Sequence, residues 1–159
     1  MEDRFLSDIE KEVKMPEKIV YPDIEKTLAD YLSTQLAALS DGAKVVIRMP
    51  ESRPSRVVRV IRNDRKLRSD KEDFQGLRGP ERIIDRPRVV FECYDDAGAA
   101  AELAGKVRTI LATIAPGYIG PVWCDYIEDV GVENVTDPVT AAPRYLITAD
   151  LYVRGTVLA

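Results

Sequence analysis

The chain has 159 residues, 45% hydrophobic and 31% charged, with a net charge of −4, enough for one domain with a real core and too few for two. It has no histidine, which removes the usual general base, the commonest transition-metal ligand and every Ser–His or Cys–His nucleophile pair. No apolar run approaches the roughly 20 residues of a bilayer crossing, and the charged start lacks the apolar segment of a signal peptide, so the chain reads as a folded protein made in the cytoplasm.

Residues 1–20 are rich in Glu, Asp and Lys. Phe5, Ile9 and Val13 recur every four residues, which fits a short helix ordered against a partner or a disordered tail. This arm precedes a single expected domain over 21–159. Ile24, Leu28, Leu32, Leu36 and Leu39 form one apolar stripe and predict a helix. Pro22 suits its first turn, Asp23 and Glu25 suit its positive end, and Ser40-Asp41-Gly42 closes it, with Gly42 taking a left-handed conformation. Strands are expected over Lys44–Met49 and Arg56–Arg62, joined as an antiparallel hairpin around Pro50 and Pro54, with Val58 and Val60 on one face and Val57, Arg59 and Ile61 on the other.

Residues 63–85 form a long charged loop with Gly76, Gly79 and Pro80; loops of this length are usually functional or disordered. A strand over Arg88–Tyr94 places Val89, Phe91 and Cys93 together. Asp95 or Asp96 then caps an Ala-rich helix over 97–114, whose stripe is Leu103, Val107, Ile110 and Ile114, and Pro116-Gly117 ends it. A bent or bulged strand runs from Val122 to about Val132. The last strand, Arg144–Arg154, turns Tyr145, Ile147, Ala149, Leu151 and Val153 inward and Thr148, Asp150, Tyr152 and Arg154 outward. The order α-β-β-β-α-β-β predicts an α+β fold: one mostly antiparallel sheet of about five strands with two helices packed on it.

The sequence has no phosphate-binding glycine loop, nucleophile elbow or calcium loop. Asp95-Asp96 reads as a helix cap, and Asp125, Glu128 and Asp129 read as a solvated strand edge that discourages unwanted pairing. No catalytic, cofactor or metal residues are assigned. Cys93 and Cys124 read as small buried hydrophobes; a disulfide requires their strands to be neighbours.

Charge is unevenly spread. Residues 44–88 carry 14 basic and 7 acidic side chains, a net of +7, and the rest of the chain nets −11. Opposed patches suit head-to-tail self-association or contact with nucleic acid. Arginine recurs at 53, 56, 59, 62, 65 and 68; in a strand that spacing alternates faces. The candidate interface or channel residues are Arg53, Arg56, Arg59, Arg62, Arg65, Lys66, Arg68, Lys71, Arg78 and Arg82. Phe74 is the only nearby aromatic to stack on bases, which disfavours single-strand or sequence reading.

The chain-wide pattern resembles the tail terminator proteins of long-tailed bacteriophages. The matching features are the Pro22–Glu25 helix start, the Arg48-to-Val60 hairpin and the basic loop. Arg86-Pro-Arg-Val-Val-Phe-Glu-Cys-Tyr leading into the Ala-rich helix, and the strand from Pro143 to Gly155, complete it. The resemblance covers about Tyr21 to Gly155; the arm is longer than its pattern. It implies a non-enzymatic virion protein of the tail or neck, assembled in the host cytoplasm without a membrane step. It would form a ring, typically a hexamer, that caps the tail tube, ends tube polymerisation and offers a surface to the head's connector. Its partners would be itself, the tail-tube protein and the connector, with non-specific contact to passing double-stranded DNA. Other head–tail neck components share related folds, so a head-closure or adaptor protein, or a non-specific nucleic-acid-binding module, is the alternative.

Overall fold

The computed structural model describes residues 18–64 and 83–158. The elements are β1 (Ile19–Val20), α1 (Ile24–Ala38), β2 (Lys44–Val46), β3 (Arg56–Arg62), β4 (Ile84–Asp85), β5 (Arg88–Asp95), α2 (Ala100–Ala112), β6 (Gly117–Ile119), β7 (Val122–Asn134), β8 (Arg144–Arg154) and β9 (Thr156–Val157). The fold is α+β. Its main sheet has the order β2-β3-β5-β8-β7-β6, with β4 also pairing to β8, and β1 and β9 form a separate antiparallel ribbon.

Helix α1 starts at Ile24, two residues after Pro22, which lies outside the helix. Asp23 is the N-cap, its side chain accepting from the Lys26 N–H at 3.2 Å. At the other end Ser40, not Gly42, takes the left-handed conformation at φ 58°. The Ser40 N–H reaches the Ala37 carbonyl and the Asp41 N–H the Leu36 carbonyl, a closed C-terminal motif. Leu28, Leu32 and Leu36 are completely buried; each such side chain contributes about 1.5–3 kcal/mol when taken out of water.

Helix α2 begins at Ala100, after a turn in which Gly98 sits at φ 85°, and has no side-chain cap. Asp95, expected as a cap, is the last residue of β5 and accepts from the Ala97 N–H and from Arg56. The helix stops at Ala112, and a short strand missed in the sequence, β6, follows and pairs with the start of β7.

The predicted hairpin is corrected: β2 and β3 run parallel, with Lys44 beside Val57 and Val46 beside Arg59. The nine residues between them, 47–55, carry the chain back to the same end of the sheet. Strand β2 is also short, ending at Val46 rather than Met49. All other pairs in the main sheet are antiparallel. Pro87, which has no N–H for the ladder, separates β4 from β5, and both lie along β8.

One face of the sheet carries the helices. Val58, Val60, Val89, Phe91, Cys93, Ile147, Ala149, Leu151 and Val153 meet the α1 and α2 stripes there. Helix α1 contacts β2 and β3 but also β6, at the far end of the strand order, so the sheet curls around the helix layer. Strand β7 slips register between Cys124 and Tyr126 and between Asp129 and Gly131, the expected bulging. No helix among the described residues is long and apolar enough to cross a membrane.

Candidate interface surface

Of the ten candidate basic residues, four fall in the described part. Arg65, Lys66, Arg68, Lys71, Arg78 and Arg82 lie outside the described residues. The four that are placed do different things, and their alternation along β3 decides which.

Arg56 and Arg62 share the face of Val58 and Val60, so they lie on the helix side. Arg56 is the hub of a network at one end of the sheet. Its Nε and Nη2 donate to the two oxygens of Asp41 at 2.9 and 2.6 Å, and Nη1 donates to Asp95 at 2.7 Å. Lys106 of α2 adds a second cation, 3.0 Å from Asp41, and reaches Glu102 at 3.1 Å. The Asp41 side chain is only 2% exposed. The Arg56 hydrogen bonds hold its carboxyl far below the ordinary carboxylate range, against the opposing effect of burial, with further help from the Ala43 N–H. This cluster bolts the end of α1, the start of β3, the end of β5 and α2 together.

Arg62 donates to Asp64 and Asp85 at 2.8 and 3.0 Å, tying the end of β3 to β4. Its backbone N–H also donates to Glu25 of α1. Arg53 pairs with Asp96 and its guanidinium lies 4.9 Å from the Tyr94 ring centre. Arg59, on the opposite face of β3, is the most open of the four: its side chain is 37% exposed and 3.6 Å from Glu92. Three of the four described arginines are therefore hydrogen-bonded to carboxylates of their own chain and the fourth is within ion-pair reach of one, so the positive charge of these four is largely neutralised locally.

The face of the sheet away from the helices is polar. Arg88 forks onto Asp150 through Nε and Nη2 at 2.7 and 2.8 Å. Arg144 donates to Glu92 at 2.8 Å, and the Tyr94 hydroxyl bridges Glu92 and Asp137 at 2.8 and 2.9 Å. Thr148 and Asp150, expected to point to solvent, do lie on this face but are buried at 6% and 1% exposure. The Arg86 and Arg88 side chains, themselves mostly covered, lie over Asp150. Arg86 also stacks 5.0 Å from the Tyr152 ring centre. Asp137 is held down to about 2 by the Val139 and Thr140 N–H groups and the Tyr94 hydroxyl, so it anchors its loop as a carboxylate.

The acidic run on β7 divides by face. Asp125 forks with Arg154, and Asp129 forks with Arg108 of α2, while Glu128 is half exposed and 4.0 Å from Arg86. Among the described residues no group of three or more Cys, Asp or Glu side chains converges as a metal site. Cys93 and Cys124 are both buried and unbridged. Burial pushes the Cys93 thiol up to about 12 and the Cys124 thiol to about 11, so both are poor nucleophiles.

Exposed apolar side chains occur elsewhere, at the β1–β9 ribbon (Val20, Tyr21, Val157 and Leu158) and along β6 and β7. Tyr118 (64% exposed), Tyr126 (56%), Val130 and Val139 all occur on β6, β7 and the following loop. Tyr118 packs edge-on to Trp123 with ring centres 5.0 Å apart. An open groove of about 500 Å³ separates α1, at Lys26, Thr27, Asp30, Tyr31, Thr34 and Gln35, from the β6–β7 turn at Gly120 and Pro121. Sequence reasoning missed this half of the surface because its aromatic residues follow no simple period.

No family model matches the chain, and no curated protein matches it.

Proposed function

We propose that the chain is a structural, non-enzymatic protein of a long-tailed bacteriophage, a tail terminator that closes the finished tail tube as a ring and presents a joining surface to the head. The observation that carries the reading is the chain-wide sequence pattern from Tyr21 to Gly155, a helix, a basic two-strand region, a strand feeding an Ala-rich helix, and a final alternating strand. The surface chemistry supports it. Exposed Tyr and Val side chains are spread along β6, β7 and the next loop and at the β1–β9 ribbon, and exposed aromatic and apolar groups favour protein contacts. Arg53, Arg56 and Arg62 spend their charge inside the chain, which weakens the competing reading of a free-standing nucleic-acid-binding module.

The test is negative-stain microscopy of the purified full chain, alone and mixed with tail tubes. Rings that seat on tube ends and arrest tube growth are the expected result. A protein that stays monomeric and never binds a tube end would sink the proposal.

A further inference from the structure

The β1–β9 ribbon leaves apolar side chains open to solvent. Its register sets Ile19 beside Val157 and Val20 beside Thr156, and alternate residues share a face. Lys18, Val20, Thr156 and Leu158 therefore make one face, with the Leu158 N–H bonded to the Lys18 carbonyl at 2.7 Å. On that face Val20 is 48% and Leu158 56% exposed. Ile83, whose carbonyl accepts from the Gly155 N–H at 2.7 Å, adds a third open apolar side chain beside the ribbon. Each strand has two residues, and among the described strands they pair only with one another. A two-stranded ribbon is marginal in water unless something packs on it.

The segment that enters this ribbon is residues 1–17, which lie outside the described residues. Its sequence carries a matching pattern. At helical spacing Phe5, Leu6, Ile9 and Val13 fall within about 100° of one another around the axis, while Arg4, Asp8, Lys11 and Lys14 fall on the other side. Asp3 suits an N-cap and Pro16 a stop. As a helix, the stretch from Phe5 to Val13 is about 12 Å long. Val13 is five residues before Lys18, so the stripe begins within roughly 17 Å of the ribbon. That tether is long enough to reverse direction and too short to carry the stripe far away.

We infer that residues 5–13 lie as a helix on the Val20–Leu158 face of their own ribbon, with Phe5, Ile9 and Val13 packed on Val20, Leu158 and Ile83. The occupant is the chain's own arm, because a short tether holds it at roughly millimolar effective concentration over that face. Docking takes apolar area of both surfaces out of water and leaves the charged side of the arm in solvent. The arm then fastens the ribbon from outside. This placement is independent of the terminator reading.

Hydrogen exchange of the full chain, read by mass spectrometry, tests it, with circular dichroism to check folding. Amides of residues 5–13 exchange slower than those of an unstructured peptide by about tenfold or more. A lone helix of this length is marginal in water, so the protection itself reports docking. Ile9→Asp on the arm removes it, and so does Val20→Asp or Leu158→Asp on the ribbon, while the main sheet keeps its own protection. Val157→Asp, on the opposite ribbon face, leaves the arm protected. The arm's owner is read from a chain carrying Ile9→Cys and Leu158→Cys. Cys93 and Cys124 are buried, so a short bismaleimide joins only the two introduced thiols, and the product in dilute solution is an internally linked monomer. Cross-linked dimers would assign the face to a second copy's arm and overturn the own-chain placement. A wild-type arm that exchanges like a free peptide overturns it too. So does protection that survives both Val20→Asp and Leu158→Asp, or that is lost in Val157→Asp.

Discussion

Replacing Arg56 with alanine gives the sharpest test of how the helix layer is fastened to the sheet. The change removes three short donations to Asp41 and Asp95. Breaking a buried ion pair from one side costs about 3–5 kcal/mol. Two features place Arg56 at the low end, near 3 kcal/mol: its own side chain keeps 21% exposure, and Lys106 remains 3.0 Å from Asp41. For a chain of this size that corresponds to a fall in Tm of roughly 6–12 °C. Arg56→Lys recovers only part of the loss, because an ammonium cannot reproduce a fork that bonds Asp41 twice and Asp95 once. Arg59→Ala is the control and costs less than about 1 kcal/mol, as its carboxylate contact is long and its side chain open.

Urea unfolding followed by Trp123 fluorescence and circular dichroism measures all three variants. The pH dependence supplies a second check. The Asp41 carboxyl lies below its ordinary 3.8 in the folded chain, so the unfolded chain takes up that proton first on acidification. The contribution is therefore complete above about pH 4 and fades as pH falls toward the folded value. The gap between wild type and Arg56→Ala stays constant from pH 7 to 5 and narrows below 4. An Arg56→Ala protein as stable as Arg59→Ala would refute the reasoning.

Gly155 sits where a methyl group would come within 2.7 Å of both the Ile19 side chain and the Val20 carbonyl oxygen; Gly155→Ala therefore parts the β1–β9 ribbon, read as a selective loss of hydrogen-exchange protection around residues 18–20 and 156–158 with the main sheet unaffected. Cys93 and Cys124 react with a thiol reagent only at the rate of unfolding, since both are buried with raised pKa values; fast labelling of either in the native protein would contradict that placement.

The sequence made the helices and long strands legible because their signal is local. The α1 and α2 stripes repeat every three or four residues, and β8 alternates along its whole length, so the core face follows from neighbours in the chain. The direction of β3 against β2 was not legible: alternation looks the same whether two strands run parallel or antiparallel, and only the path of residues 47–55 decides it. The role of the arginines was hidden for a different reason. Arg56 meets Asp41 and Asp95, 15 and 39 positions away, and Arg62 meets Asp85, 23 away. Charge counting along the chain cannot see such pairs. It therefore read as surface potential what the fold uses as internal fastening. Thr148 and Asp150 misled in the same way, since a polar residue on an outer face is buried when arginines lie across it.

The ribbon of β1 and β9 closes the described chain almost into a loop. Lys18 and Leu158 are joined by a hydrogen bond, the Leu158 N–H donating to the Lys18 carbonyl at 2.7 Å. Residues 18 and 158, the two ends of the described body, thus lie side by side at one point. A few residues suffice to splice that point shut, so the chain can be reopened at an exposed loop tip such as 138–141 without disturbing the order of strands in the sheet. For an assembly built from repeated copies, a label attached at residue 18 or at residue 158 sits at the same spot on each subunit. That spot serves as a single fiducial mark for the orientation of the body.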